Sequence, residues 1–179
     1  MTGSDRERLI LILQRAYSGE LGAALAYRGH WKSVKDDSEK IHIRQIEHEE
    51  WIHRLRVGEM LTSLGSAPVK SKEVRLWITG RMIGLSCHVI GWFLPMYFAG
   101  RIESCNVEEY LTAARHARAL SLVEFENDLL RMAEVERQHE KFFLEKVAPH
   151  WMLPIAAKLF NWGLQTGALV SDENTERGD

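Results

Sequence analysis

Two copies of one residue spacing constrain the fold of this chain more than any other feature. Glu50-x-x-His53 and Glu136-x-x-His139 each follow a lone glutamate, with Glu20 lying 30 positions before Glu50 and Glu103 lying 33 positions before Glu136. Residues three apart on a helix share a face, so each pair directs a carboxylate and an imidazole towards one point. Two such units that face each other bring four carboxylates and two imidazoles together inside a helical bundle.

This set of donors predicts a centre that holds two metal ions. Oxygen and nitrogen donors of this kind suit iron or manganese and require no thiolate. Four carboxylates carry about four negative charges, which two divalent ions balance, whereas burial and mutual repulsion oppose their ionisation without metal. We therefore predict two iron ions, with manganese as the alternative metal, held by Glu20, Glu50, His53, Glu103, Glu136 and His139.

A single Glu-x-x-His motif occurs by chance in charged helices, and Glu39-x-x-His42 is such a copy. Antiparallel geometry separates it from the predicted ligands. Glu20 lies about 16 residues before the turn predicted at 35–38 and Glu50 about 14 residues after it, so at about 1.5 Å per residue they reach the same height. Glu39 lies beside the turn, far from Glu20, and is not predicted as a ligand.

Composition narrows the class of protein. The chain has 179 residues, with 45% apolar and 27% charged residues, which is typical of one globular domain. The formal net charge of −2 argues against nucleic-acid binding. Two cysteines, Cys87 and Cys105, are too few for a disulfide framework, and the polar segment 1–7 predicts a helix start and no signal peptide. These features favour a cytoplasmic location.

Periodicity and capping signals predict an all-α, four-helix bundle with a crossover helix and a short C-terminal helix. Its predicted helices run from Ser4 to Ser33, from Ser38 to Leu64, from near Pro95 through Glu103, and from a capping box at Ser121-x-x-Glu124 to Val147. The crossover helix is predicted at 71–91, and the short helix begins after Pro154 and ends near Gly167. The bundle is expected to occupy 1–170, followed by a disordered tail at 171–179.

Two apolar stretches leave two interpretations open. Residues 82–100 contain no charged residue and reach the length of a membrane span, but Pro95 and several glycines predict a break instead. Residues 151–162 form a second aromatic stretch that includes Lys158. These segments indicate either attachment to a membrane surface, at the inner membrane face, or packing in the core or in a homodimer.

Short motifs accompany both Glu-x-x-His pairs: Gly19-Glu20-Leu21-Gly22-Ala23 with Tyr27, Leu76-Trp77 with Gly80 and Gly84, and Ile102-Glu103-Ser104. Together these motifs resemble those of the demethoxyubiquinone hydroxylases, di-iron enzymes of ubiquinone biosynthesis. The resemblance covers roughly residues 15–145. Where family members carry a His-His-Tyr run, this chain keeps the tyrosine as Tyr110 but has Glu109 in place of the preceding histidine.

The resemblance implies a ferritin-like bundle with two irons, molecular oxygen as the oxidant and an external electron donor. It also implies a quinol-like polyprenyl substrate drawn from a membrane. The residues expected to take part in catalysis are Glu20, Glu50, Glu103, Glu136 and Tyr110. The function expected on this basis is that of a di-iron monooxygenase that hydroxylates this aromatic. The alternatives are a ferritin-like or rubrerythrin-like protein that oxidises iron or reduces peroxide, and an interaction bundle with a vestigial site.

Other polar residues are given structural roles. Tyr17 and Tyr27 share a helical face with Glu20. A core position is the default expectation for both, and the alternative is that either carries an electron or a hydrogen bond near the metal. Four histidines are predicted to be ordinary surface residues: His30, His42, His116 and His150.

Overall fold

The computed structural model describes residues 4–163, which form six α-helices and no β-strand within that range. The prediction of an all-α fold is therefore confirmed. The helices are α1 (Asp5–Ser33), α2 (Asp37–Ser63), α3 (Lys70–Ser86), α4 (Phe93–Ala119), α5 (Val123–Val147) and α6 (Leu153–Phe160). The predicted end of the last helix near Gly167 and the predicted tail at 171–179 lie outside the described residues.

The first two helices begin at side chains that cap their amide groups. Ser4 and Glu7 form the predicted capping box at the start of α1. At α2 the carboxylate of Asp36 accepts a hydrogen bond from the Glu39 amide at 2.9 Å, so this helix begins one residue earlier than predicted.

The capping box predicted at Ser121 is wrong. The N-cap of α5 is Leu122, which makes no side-chain cap, and Ser121 instead ends α4 in the left-handed conformation, with φ of 57°. The Ser121 amide donates to the Arg118 carbonyl and the Leu122 amide donates to the Ala117 carbonyl, which is the Schellman pattern of a helix end. Ser121 therefore lacks the extended conformation that an N-cap side chain requires.

The helices form two antiparallel pairs, α1 with α2 and α4 with α5, which meet where α1 packs on α4. Helix α3 packs along α1, outside the four-helix core, as predicted for the crossover. Close contact between these two helices depends on glycine. A Cβ atom added to Gly29 would collide with the backbone of Gly84, and one added to Gly80 would collide with the carbonyl oxygen of Gly22.

Two apolar clusters occupy opposite ends of the bundle core. One is built around Leu13, Leu61 and Leu129, and the other around Ile46 and Phe143. Glu20, Glu50, Glu103 and Glu136 lie between these clusters on each of the four long helices. The core therefore has an acidic middle layer between two water-excluding layers.

The apolar stretch 82–100 does not form one continuous helix. Helix α3 ends at Ser86, Gly91 takes a φ of +83°, and α4 starts at Phe93 with Pro95 in its first turn. Among the helices described, none combines the length and the apolar character needed to span a membrane. Helix α6 ends at Phe160, earlier than predicted, because Asn161 adopts the left-handed conformation.

Candidate metal centre

The structure brings all six predicted ligands together at the middle of the bundle, each with 5% or less of its surface exposed. They form two overlapping groups in which the potential ligand atoms lie within 4.8 Å of one another: Glu20, Glu50, His53 and Glu136 in the first, and Glu50, Glu103, Glu136 and His139 in the second. Glu50 and Glu136 belong to both groups. The arrangement therefore offers two adjacent cation positions with two carboxylates shared between them.

The hydrogen-bonding state of these side chains fits a cation site. Buried polar atoms in proteins are nearly always paired, and leaving one unpaired costs about 1–3 kcal/mol. Within residues 4–163, six buried side-chain atoms lack a partner, and five belong to the predicted ligands: Glu20 Oε2, both carboxylate oxygens of Glu50, Glu136 Oε2 and His139 Nδ1. Bound metal ions would satisfy these atoms, so buried Glu and His groups here can hold metal.

Three of the four carboxyl groups resist ionisation in the absence of metal. Burial raises the pKa of Glu50 well above its ordinary value, and the neighbouring carboxylates of Glu20 and Glu136 raise it further. Burial likewise raises the pKa of Glu103 strongly, and it raises the pKa of Glu20. Because metal ligation requires the ionised form, a bound cation would favour ionisation of these carboxyl groups.

Glu136 behaves in the opposite way because both histidines contact it. Burial alone would raise its pKa, but hydrogen bonds with His139 and His53 outweigh burial and hold that pKa below its usual range. The His53 Nδ1 atom lies 2.9 Å from Glu136 Oε1. Although burial lowers the pKa of His139, hydrogen bonds with Glu136 and Glu49 raise it to about 9. These contacts thus favour an ionised Glu136 and a protonated His139.

Two tyrosines hold the glutamates that belong to only one of the two groups. The Tyr27 hydroxyl donates a hydrogen bond to Glu103, and the Tyr110 hydroxyl donates one to Glu20. Burial raises the pKa of both phenols well above 10, so both remain neutral donors. Tyr110 is predicted at the site. For Tyr27 a core position is the default expectation and a hydrogen bond at the site the alternative, and the structure shows such a bond to Glu103.

Two further residues that contact the ligands were missed in the sequence. Glu49 lies 2.7 Å from His139 Nε2, which leaves His139 Nδ1 facing Glu136 Oε2 at 3.4 Å. A carboxylate in this position fixes the orientation of a ligating imidazole. Asn106 donates from Nδ2 to Glu103 Oε2 at 2.9 Å. The contact of Asn106 could have been predicted, because Asn106 follows Glu103 by three residues and so shares its helical face. The contact of Glu49 could not, because it depends on how α2 faces α5.

Of the remaining predictions about polar residues, one is confirmed and one is wrong. Glu39 and His42 stay apart from the centre, because Glu39 pairs with Trp92 and Lys146 and His42 stacks on Phe142. The prediction that His30 lies on the surface is wrong. Its ring is only 3% exposed and stacks against Tyr27 and Phe143, because α1 presents it to the core one turn after Tyr27.

A mainly apolar cavity of about 480 Å³ lies between α1, α3 and α4 and reaches the centre. Glu20, Tyr27 and Tyr110 form part of its wall. Towards the α3–α4 connection the lining is apolar and includes Ile83, Ile90, Leu94 and Phe98. A space of this size and character is typical of a small-molecule site, and it ends beside the metal ligands.

Comparison of the chain with protein-family models, curated proteins and solved structures gives no match. The resemblance to the demethoxyubiquinone hydroxylases therefore stays an expectation based on short motifs. What the centre does is inferred from the geometry of its own residues.

Proposed function

We propose that this protein is a di-iron, oxygen-dependent monooxygenase that hydroxylates a quinol-like polyprenyl aromatic in ubiquinone biosynthesis. One observation carries the proposal: the apolar cavity ends at Glu20 and Tyr110, beside the carboxylate centre. A protein that only oxidises iron or reduces peroxide needs access for small polar reactants and has no use for an apolar space of about 480 Å³. The cavity thus favours an organic substrate over the ferritin-like or rubrerythrin-like alternative.

The chain's own residues define where the metals would lie. Two irons would be held by Glu20, Glu50, His53, Glu103, Glu136 and His139, which form the two overlapping groups described above. Bound iron, reduced by an external electron donor, supplies the capacity to activate molecular oxygen. In the overall reaction one oxygen atom enters a ring C–H bond and the other leaves as water, using two electrons from the donor and two protons.

The surrounding side chains prepare the centre for this reaction. Tyr110 keeps its proton and fixes Glu20 at the end of the cavity, while Tyr27 fixes Glu103 on the other side. The two apolar clusters exclude water from above and below the ligands. Exclusion of water strengthens every electrostatic interaction in the site and limits side reactions of an activated oxidant.

The exposed surface near the cavity suits a lipid substrate. Large apolar side chains on α3, on the α3–α4 connection and around α6 face solvent. They include Met82, Leu85, Val89, Trp151 and Leu159. Val89 is 82% exposed and Trp151 is 73% exposed. Contact of this surface with the inner membrane face would let a polyprenyl tail enter past Ile83 and Ile90. The alternative role of this surface is to join two copies of the chain in a homodimer.

Vesicle flotation separates these two uses of the surface. Trp151→Glu should weaken flotation with anionic vesicles, whereas Leu55→Glu on α2, which also replaces an exposed apolar side chain, should not. Trp162 is unsuitable for this test because its ring is only 9% exposed and donates to Glu140 at 2.9 Å. A protein that stays off vesicles but dissociates into monomers on Trp151→Glu would use this surface for dimerisation.

The reaction itself is tested with metal-loaded, chemically reduced protein. We expect two irons per chain, faster oxygen consumption with a short-chain benzoquinol, and a hydroxylated product identified by mass spectrometry. Brisk turnover of ferrous ions or peroxide with no response to quinols would replace the proposal with the ferritin-like or rubrerythrin-like alternative. Absence of stoichiometric metal would favour the interaction bundle.

A further inference from the structure

Part of the cavity wall is charged, away from the apolar lining near the α3–α4 connection. Besides Glu20, the charged side chains of Arg15 on α1 and Glu109 on α4 contribute to its wall. Arg15 Nε lies 2.8 Å from Glu109 Oε1. The Arg15 side chain is largely exposed, whereas the Glu109 side chain is only 20% exposed. The pair therefore places a partly buried carboxylate, held by a cation, at the polar end of an otherwise apolar space.

The position of this pair relative to the metal ligands sets the size of a ligand between them. Arg15 precedes Glu20 by five residues on the same helix, which is about 7.5 Å along the axis. Glu109 lies beside Tyr110, whose hydroxyl donates to Glu20. This axial separation is on the order of the size of one aromatic ring with its ring oxygens. The cavity lining continues to Ile83 and Leu94 with apolar side chains that suit an apolar tail.

The hydrogen-bonding capacity of the Glu109 carboxylate determines which ring substituents it can bind. An ionised carboxylate only accepts hydrogen bonds and has room for several, so the contact with Arg15 leaves Glu109 able to accept another. A ring hydroxyl can donate to it, whereas an aryl ether cannot. Because Glu109 is partly buried and keeps its contact with Arg15, a ligand without the hydroxyl forfeits one hydrogen bond to a charged acceptor, so ligands that have the hydroxyl should bind more tightly than ligands that lack it.

We propose that Glu109, held in place by Arg15, is a specificity-determining residue that accepts a hydrogen bond from a ring hydroxyl, so that the cavity takes hydroquinone-type aromatics in preference to their ethers. This inference rests on the proposed function, since it names the head group of the substrate of the same site. Glu109 acts in binding and contacts no predicted metal ligand.

Equilibrium binding to the full-length, metal-free protein tests the inference without relying on activity. The probes are a short-chain hydroquinone and its dimethyl ether, titrated anaerobically by calorimetry. We expect the wild type to bind the hydroquinone about tenfold more tightly than the ether, since a hydrogen bond to a charged acceptor is among the stronger ones. Glu109→Leu should remove this preference, Glu109→Gln should reduce it, and Arg15→Met should reduce it by releasing the carboxylate.

Glu108→Gln is the matched control, because it changes the same charge at an exposed position on the same helix. It should keep the wild-type preference, and circular dichroism should show all variants folded. Retention of the full preference in both Glu109 variants would overturn the inference while leaving the proposed function intact. Equal binding of both probes by the wild type would do the same. Binding of neither probe by the wild type would overturn this inference together with the substrate class of the proposed function.

Discussion

The Tyr27 hydroxyl on α1 donates a hydrogen bond to the carboxylate of Glu103 on α4. The converse contact joins Tyr110 on α4 to Glu20 on α1. In each helix the tyrosine follows the glutamate by seven residues, so two turns of helix separate them on one face. The two halves of the bundle therefore repeat the tyrosine as well as the ligands, and each half holds the glutamate of the other.

We predict that each tyrosine supports metal binding through this contact. Tyr27→Phe removes the donor to Glu103, and Tyr110→Phe removes the donor to Glu20. Loss of a partner that orients a metal ligand typically weakens metal affinity about 10- to 100-fold. Competition with a chelator of known affinity measures the change. Tyr17→Phe on the same face of α1 is the control, because Tyr17 stacks on Arg54 and not on a ligand; affinity equally reduced in all three variants would contradict the prediction.

The shared carboxylate of Glu50 should be essential for metal and unfavourable without it. Glu50 is fully buried, and neither of its oxygens has a hydrogen-bond partner. Glu50→Gln keeps the shape of the side chain, so we expect metal content to fall well below two ions per chain. In the metal-free protein the same substitution should raise the free energy of unfolding by about 1 kcal/mol or more, since it removes a group whose ionisation the fold opposes.

Elemental analysis and urea unfolding after chelation measure these two effects. The replacement of Glu49 by Gln is a suitable comparison, because Glu49 is partly exposed and contacts the centre only through His139. It should lower metal affinity less than Glu50→Gln and should not stabilise the metal-free protein. A Glu50→Gln protein that still binds two ions would show that the ligand assignment is wrong.

That these six side chains lie together could be predicted from the sequence, because helical periodicity converts residue spacing directly into shared helical faces. The crossover helix could also be predicted, because two helix pairs that face each other require a long connection between the second and the third helix of the bundle. The predictions that were wrong, and the contacts that were missed, depend on local backbone conformation or on tertiary packing. Ser121 ends α4 in a left-handed conformation, which a capping pattern does not reveal. His30 and Glu49 take their environments from neighbouring helices, so neither burial nor pairing follows from their own positions in the sequence.

The contact between α1 and α3 provides a test of the cavity wall. A Cβ atom at Gly80 would collide with the backbone of Gly22, so Gly80→Ala must push α3 away from α1. Overpacking of this kind typically costs about 1–3 kcal/mol. Because Gly80 also contributes to the cavity, ligand binding should weaken in parallel. Gly19→Ala is the control for stability, since a Cβ atom there has no neighbour within 4 Å and alanine favours the helix. It is no control for ligand binding, because Gly19 also lines the cavity. Thermal unfolding should show opposite shifts for the two variants.

His30 should make the stability of the protein depend on pH. Burial lowers its pKa from 6.5 to about 4, so the folded protein keeps the ring neutral where the unfolded chain already binds a proton. A depressed histidine pKa contributes stability that is fully present above the unfolded value of 6.5 and is lost as the pH falls towards 4. The loss should reach about 3 kcal/mol at most, by the free-energy equivalent of such a shift.

The expected loss is measured by urea unfolding of the metal-free protein between about pH 7 and about pH 4, compared with His30→Phe. Phenylalanine preserves the stacking on Tyr27 and Phe143 but cannot be protonated, so the variant should lose less stability than the wild type as the pH falls. His48→Gln, at an exposed position of α2, should follow the wild-type curve and controls for histidine loss in general. Parallel curves for the wild type and His30→Phe would mean that the pKa of His30 is the same in the folded and unfolded states. The acid sensitivity of the protein would then have to come from the carboxylates of the centre.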